Sequence, residues 1–271
     1  MFWIISIVLI GAGVGLFFGQ KSQGEKLYQM KAAQTLMTSE LSQEAKDVAE
    51  GLGEKGSYNK IVEVKGKVVC DSPLTSELAG KPCVHYSMRI TRKYEETYWD
   101  TDSNGRRVQR TRQGSDTVAH NERSIPFYVE DSTGRIRVNP EGGDMISEKS
   151  YSQFQPGEIG GTSVRIGNFS INLPSITSTS GRRTIGYEYE EYIIPINRDV
   201  YILGEAADSS GELQMQKPSD KNNRFIISTK SEEELQRGAA GAQKGMLAGS
   251  IITSIGGFVV LILTILGILQ G

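Results

Sequence analysis

No charged side chain occurs between Met1 and Gln20, and none occurs from Gly245 to Gly271. These two runs restrict the fold more than anything between them. A helix rises 1.5 Å per residue, so roughly 20 residues cross the ~30 Å hydrocarbon core of a bilayer. From Ile251 to Leu269, thirteen residues are Ile, Leu, Val or Phe. At about −0.3 to −0.6 kcal/mol each they contribute on the order of −4 to −8 kcal/mol to insertion, less what Gly, Ser and Thr give back. The first run, FWIISIVLIGAGVGLFFG, is apolar or small throughout. A cleaved signal peptide is the competing reading. It needs a basic segment before a short apolar core, and Met-Phe-Trp opens the chain without Lys or Arg. Both runs are therefore read as transmembrane helices, over 1–20 and 246–269.

Small residues recur at one-turn spacing in both. Gly11, Gly15 and Gly19 make two GxxxG steps, and Gly245 and Gly249 make another. Such spacing lets helix backbones approach closely in lipid. Either the two anchors pair, or copies of the chain form a homo-oligomer, or glycine is simply frequent in membrane helices. Two spans would put residues 21–244 on one side of the membrane. Lys21, Lys26 and Lys31 follow the first span, and Arg237 and Lys244 precede the second, whereas the outer ends carry no Lys or Arg. The positive-inside rule then places the middle of the chain in the cytoplasm.

With the ends set apart, about 200 residues remain, enough for one buried core. A helical linker is expected over 21–57, a β-rich domain over 58–230 and a second helical linker over 231–245. Apolar residues from Leu27 to Leu52 fall near one face, so 25–52 reads as one helix stopped by Gly51, Gly53 and Gly56. From Tyr58 the period becomes two. Strands are expected at Ile61–Val69, with Gly66 a bulge or bend, then at Cys83–Trp99, Ile125–Glu130 and Arg135–Val138. More are expected at Ser163–Ile171, Tyr187–Ile196, Asp199–Ala206, Glu212–Gln216 and Phe225–Thr229. Asn104-Gly105 and Asp131-Ser132-Thr133-Gly134 mark hairpins, and Gly157–Gly161 a turn. Many short strands joined by turn residues indicate a sandwich or an OB-like barrel, making the whole a mainly β soluble domain with two transmembrane and flanking helices. Ser231 followed by Glu232-Glu233-Glu234 is an N-cap with an acidic first turn, leading into the second span.

The search for chemistry returns little. Cys70, Cys83, His85 and His120 are the entire Cys and His inventory and show no paired metal-ligand spacing. Cys70 and Cys83 would form a disulfide only if the domain faced an oxidising space. There is no GxSxG elbow, Walker loop or GxGxxG, so no catalytic residue, cofactor or metal ligand is assigned. Glu188 and Glu190 alternate with Tyr187 and Tyr189, as a half-buried strand requires. The formal charge of −2 gives no footprint for nucleic acid. Arg106, Arg107, Arg110 and Arg112 follow the Asn-Gly turn and read as a charged hairpin tip or a contact for anionic lipid headgroups. With Tyr98 and Trp99 they are the candidate partner-binding residues.

Several segments resemble one family. They are Gly66-Lys67-Val68, Ser72-Pro73-Leu74, Gly80-Lys81-Pro82-Cys83-Val84-His85-Tyr86, Ser124-Ile125-Pro126-Phe127-Tyr128-Val129 and Tyr201-Ile202-Leu203-Gly204-Glu205-Ala206, followed by the second span. Their order is similar to that in the GIDE or BAM (beside-a-membrane) domain of membrane-anchored E3 ubiquitin ligases of organelle outer membranes. In that family ubiquitin transfer resides in a C-terminal RING finger that binds two zinc ions through eight Cys and His ligands. Four such residues cannot build it, so no RING residue carries over and ligase activity is not expected. What the resemblance implies is the membrane-tethered domain that holds partner proteins. In the organelles this domain faces the intermembrane space, against the charge-based orientation. A RING-less relative is expected in a bacterial plasma membrane. The expected function is a membrane-tethered protein-binding or scaffolding domain with a protein partner and membrane lipid around it. A ligand- or lipid-sensing barrel is the alternative.

Overall fold

The computed structural model describes residues 2–54, 56–157, 164–166, 169–171, 182–266 and 268. In chain order the elements are α1 (Phe2–Ala32), β1 (Gln34–Thr35), α2 (Thr38–Leu52), β2 (Asn59–Val69), β3 (Leu74–Thr75), β4 (Pro82–Thr101) and β5 (Arg107–Ser124). Next come β6 (Phe127–Glu130), β7 (Arg135–Val138), β8 (Asp144–Ile146), β9 (Glu148–Pro156), β10 (Val164–Ile166), β11 (Phe169–Ile171) and β12 (Arg182–Pro195). The chain finishes with β13 (Asp199–Ala207), β14 (Gln214–Gln216), β15 (Ile226–Ser228) and α3 (Glu232–Ile265).

Five strands close on themselves in the order β2-β6-β7-β14-β13 and back to β2. The β7–β14 contact is parallel and the other four are antiparallel. Of the sandwich and the OB-like barrel that the strand pattern allowed, the closed barrel is the one formed. Inward side chains fill it: Val62, Val64, Val68, Val129, Val138, Ile202 and Met215 are fully buried. Gly66 is where β2 bends from β13 toward β6, since a Cβ there would lie 2.4 Å from the Glu130 carbonyl oxygen. Only glycine fits so close a backbone approach.

Two long insertions leave the barrel, residues 70–126 between β2 and β6 and residues 139–198 between β7 and β13. They meet in a second antiparallel sheet, in the order β5-β4-β12-β9, with the short β3 also on β4. At about 3.4 Å per residue the 20 residues of β4 run for roughly 65 Å. Met88, Ile90, Tyr187 and Tyr189 make a small core at the root of this ribbon. Its far end carries almost no buried surface on β5.

α1 and α3 are long and apolar enough to cross a membrane, with a mean hydropathy of 2.3 over their best windows. Only 11% of each window is buried, so these are not core helices of the barrel. They pack antiparallel: Gly257 meets Ile10, Gly13 meets Ser254, Gly249 meets Leu16 and Gly19 meets Met246. Where they reach the barrel, Met30 of α1 and Leu235 of α3 close over Tyr201, Leu203 and Ile226. Glu63 is buried in the same seam, accepting hydrogen bonds from Tyr201 Oη and Thr35 Oγ1. Burial pushes its carboxyl up, against the pull of those two hydrogen bonds. Ser231 caps α3, accepting from Glu234 N while Glu234 accepts from Ser231 N, the capping box read from the sequence.

One expectation needs correction. The single helix over 25–52 is divided: α1 runs on to Ala32, Gln34-Thr35 pairs parallel with Val62-Glu63, and α2 starts anew at Thr38. Its apolar residues serve two different places. Met30 packs on the outer face of the barrel, and Leu36, Leu41 and Ala45 cover the core. The α2 terminus is capped from a distance by the β6–β7 turn. Asp131 accepts from Thr38 N (2.8 Å) and Thr133 Oγ1 from Ser39 N (3.1 Å). The arginine segment lies where the hairpin turn was expected: Asp102–Gly105 turns the chain, Arg106 N and O bond back to Asp102, and Arg107, Arg110 and Arg112 fall in the first six residues of the 18-residue strand β5. The Ser163–Ile171 strand resolves into β10 and β11, paired Val164↔Ile171, with 163, 167 and 168 outside the described residues. Of the expected turn at Gly157–Gly161, only Gly157 is described, with φ 94°.

Candidate interaction surface

The outer half of the β4–β5 ribbon brings the six candidate partner-binding residues together. Tyr98 lies opposite Arg110, and Trp99 opposite Gln109. Trp99 is 61% exposed and Tyr98 37%. Long side chains reach diagonally across antiparallel strands. The Arg112 guanidinium sits 5.3 Å from the Tyr98 ring centre, and that of Arg107 sits 5.5 Å from the Trp99 ring centre. These are cation–π distances.

Most of the positive charge here is already used. Arg110 Nε lies 2.9 Å from Asp100 Oδ2, and Arg112 Nε donates to Glu96 Oε2 at 2.6 Å. Arg182 of β12 holds the other oxygen of Glu96 at 2.9 Å, and Arg183 donates to Glu95 at 2.7 Å. Hydrogen bonds from Arg182 and Arg112 hold the Glu96 carboxyl below the usual carboxylate range. These pairs tie β5, β4 and β12 where apolar contacts run out. Among the described residues Arg106 and Arg107 have no carboxylate partner. Among the described residues β5 pairs only with β4, so against them its outer edge is open.

The glycine candidates divide by helix face. A Cβ at Gly19 or Gly249 would touch the partner helix, while Gly11, Gly15 and Gly245 face open space. Gly13, Gly24 and Gly257, which fall outside the GxxxG spacing, make the tightest approaches, since a Cβ there would lie 2.3, 2.8 and 2.8 Å from the neighbouring side chain.

No group of three or more His, Cys, Asp or Glu that could hold a metal occurs among the described residues. Cys70 and Cys83 are both free. Burial, and then the nearby Glu191 carboxylate, push the Cys83 thiol up to about 12, which removes it as a nucleophile. His85 Nδ1 is 2.8 Å from Ser124 Oγ, the contact a serine hydrolase would need. The ring is buried at 2% exposure, however, and Ser124 does not line the neighbouring cleft of about 500 Å³ that His85, Glu122 and Tyr192 share. The pair is a buried polar contact of the sheet.

Sequence reasoning missed one group of consequence. Glu191 has no exposed surface and accepts from Leu78 N (2.7 Å), Ala79 N (3.0 Å) and Ser150 Oγ (2.9 Å), fastening the 76–80 loop to β12 and β9. The signal was present. Strict alternation puts Glu191 on the same inner face as Tyr187 and Tyr189, opposite Glu188 and Glu190. Those two outer carboxylates pair with Lys93 and Lys149.

A family model described as GIDE, an E3 ubiquitin ligase, matches residues 95–262, from the outer ribbon to well inside α3. The chain belongs to the GIDE family. The match takes in the outer end of β4, β5, the barrel strands β6, β7, β13 and β14 and most of α3; of the quoted segments, Ser124–Val129 and Tyr201–Ala206 lie within it and the three between Gly66 and Tyr86 precede it. No curated protein and no solved structure matches the chain. GIDE membership names a domain of proteins related to membrane E3 ligases.

Proposed function

We propose that this GIDE domain is a membrane-tethered protein-binding module. α1 and α3 span the bilayer as an antiparallel pair, with the barrel and ribbon on one side and both helix ends on the other. The lysines and arginines flanking the spans, Lys21, Lys26, Lys31, Arg237 and Lys244, support a cytoplasmic barrel, and the bacterial plasma membrane is the membrane we favour.

The open edge of β5 carries the reading. Natural sheets blunt or cover long edges, because unpaired N–H and C=O groups template further pairing. An 18-residue edge, running outward from the barrel and stiffened at its outer half by Glu95 and Glu96 ion pairs, suits the addition of an extended segment from another protein. Trp99, Arg106 and Arg107 would read its side chains. A ligand held inside the barrel is less well supported, because Val62, Val64, Ile202 and Met215 leave its interior filled. Ubiquitin transfer is not part of the proposal.

The test is a photo-crosslinking residue at Gln109 or Thr111 of the full chain in native membranes. A discrete protein adduct, absent when the probe is moved to Ser39 on α2, is the expected outcome. Adducts to lipid alone, or the same adducts from both positions, would refute edge binding.

A further inference from the structure

Two hollows run along α1 where it leaves the apolar span. The lower, of about 400 Å³, is lined by Phe17, Gln20, Lys21, Gly24 and Tyr28. The upper, of about 570 Å³, lies between α1 and the 217–225 loop and takes in Lys217, Lys221, Arg224 and Asp144. Glu25 and Gln29 line both, so the two form a single groove. Along the helix Glu25 and Gln29 lie about 8 and 14 Å beyond Gln20, at 1.5 Å per residue. A headgroup layer is roughly 5–7 Å deep on each side of the hydrocarbon. The groove therefore starts among acyl chains at Phe17, itself 53% exposed, and reaches the outer edge of the headgroup layer at Glu25, where the phosphate of a lipid drawn slightly outward would lie.

Its upper end is built. Gln29 joins the loop to α1 by accepting from Arg224 N (2.9 Å) and donating to the Asn222 carbonyl (2.5 Å). Arg224 donates to Ser22 Oγ at 2.8 Å and lies 3.5 Å from Asp144. Lys217 rests on Gly142, where a Cβ would come within 2.8 Å of its stem. The charges do not balance. Lys21, Lys217, Lys221 and Arg224 line the groove against Glu25 and Asp144, while the Glu205 carboxylate behind the loop accepts from Ser219 N and Oγ and from Gln216. Among the described residues neither Lys217 nor Lys221 has an ion-pair partner, although Lys221 follows Asp220 directly in the chain.

We propose that this groove holds one anionic phospholipid, an acyl chain lying along Phe17 and its phosphodiester resting between Lys217 and Lys221. The inference rests on the reading of α1 and α3 as membrane spans. It concerns the barrel's seat on the bilayer, far from the β5 edge. Burial keeps the Lys26 amine below its usual value, with Asp144 raising it and Arg224 lowering it.

The experiment uses the full chain reconstituted in equimolar phosphatidylglycerol and phosphatidylcholine, then extracted in mild detergent, with the retained lipid counted by native mass spectrometry. Phosphatidylglycerol is expected to be enriched. Lys217→Ala/Lys221→Ala should weaken its retention about thirty-fold, roughly five-fold for each lysine. Lys217→Arg/Lys221→Arg should restore it, which separates lost charge from lost folding. Equal retention of both lipids by the wild type, or unchanged retention by the alanine variant, overturns the proposal. Displacement of the lipid by inorganic phosphate would assign the site to free phosphate and also overturn it. Alkaline carbonate extraction of the same membranes reads the tether separately. A chain that resists extraction yet shows no lipid preference refutes the groove alone, whereas a chain that is extracted refutes the tether and the groove with it.

Discussion

Replacing Glu191 by alanine removes the carboxylate that holds the 76–80 loop to the ribbon. Leu78, whose N–H it accepts, is itself buried, so that donor would be left without water or partner. An unsatisfied buried donor costs about 1–3 kcal/mol. Ala79 is half-buried and reaches solvent in part, and Ser150 Oγ keeps the Glu191 carbonyl as a second acceptor at 3.2 Å. Adding the lost packing of one methylene, at about 0.8 kcal/mol, gives a total near 3 kcal/mol. For a domain of this size 1 kcal/mol moves Tm by roughly 2–4 °C, so a fall of about 6–12 °C is expected. Thermal unfolding of the full chain in nanodiscs, followed by near-ultraviolet circular dichroism, measures it. Glu188→Ala is the control. It removes an exposed pair with Lys93 on the same strand, worth at most about 1 kcal/mol. If Glu191→Ala unfolds no lower than Glu188→Ala, the buried carboxylate is not what fixes this loop.

Further outcomes follow from the same structure. Partial burial works to raise the Asp131 carboxyl, but hydrogen bonds from Thr133 and Thr38 outweigh it and hold the group down at about 2. Because the folded value lies below the unfolded one, its stabilisation is present above about pH 4 and is lost as pH falls toward 2. Asp131→Asn should flatten the stability profile in that window, measured by urea unfolding against pH. Gly66→Ala has no room beside Glu130 and should cost at least about 2 kcal/mol by the same assay. Gly13→Ile should drive α1 from α3 and abolish a disulfide cross-link engineered between the helices, whereas Gly15→Ile, facing open space, should leave it intact.

The sequence exposed the parts of this fold that carry a strong period. The uncharged ends, the alternation through Val62, Val64 and Val68, and the acidic turn after Ser231 each had one physical explanation, and each appears as read. β5 did not stand out because both of its faces are wet: from Arg107 to Gln113 only Val108 is apolar, so no alternation marks it. The break of the 25–52 helix was hidden for the opposite reason. Its apolar stripe continues across the break, and what ends the helix is a hydrogen bond to a distant strand, Leu36 N to the Glu63 carbonyl at 3.0 Å. The groove beside α1 joins residues near 20 to residues near 220, a contact that no local pattern encodes. The aromatic and arginine residues of the ribbon were found, but not that Arg110 and Arg112 spend their charge on Asp100 and Glu96.

Everything functional here depends on α1 and α3 crossing lipid together with the barrel on one side. Site-directed labelling tests this most directly, with single cysteines at Trp3, Ile268 and Ser39 in a Cys70→Ser/Cys83→Ser background and a membrane-impermeant maleimide. In intact cells we expect label at positions 3 and 268 and none at 39, with position 39 labelled only after the membrane is opened. Labelling of positions 3 and 268 from opposite sides, or of all three positions at once, would contradict the arrangement.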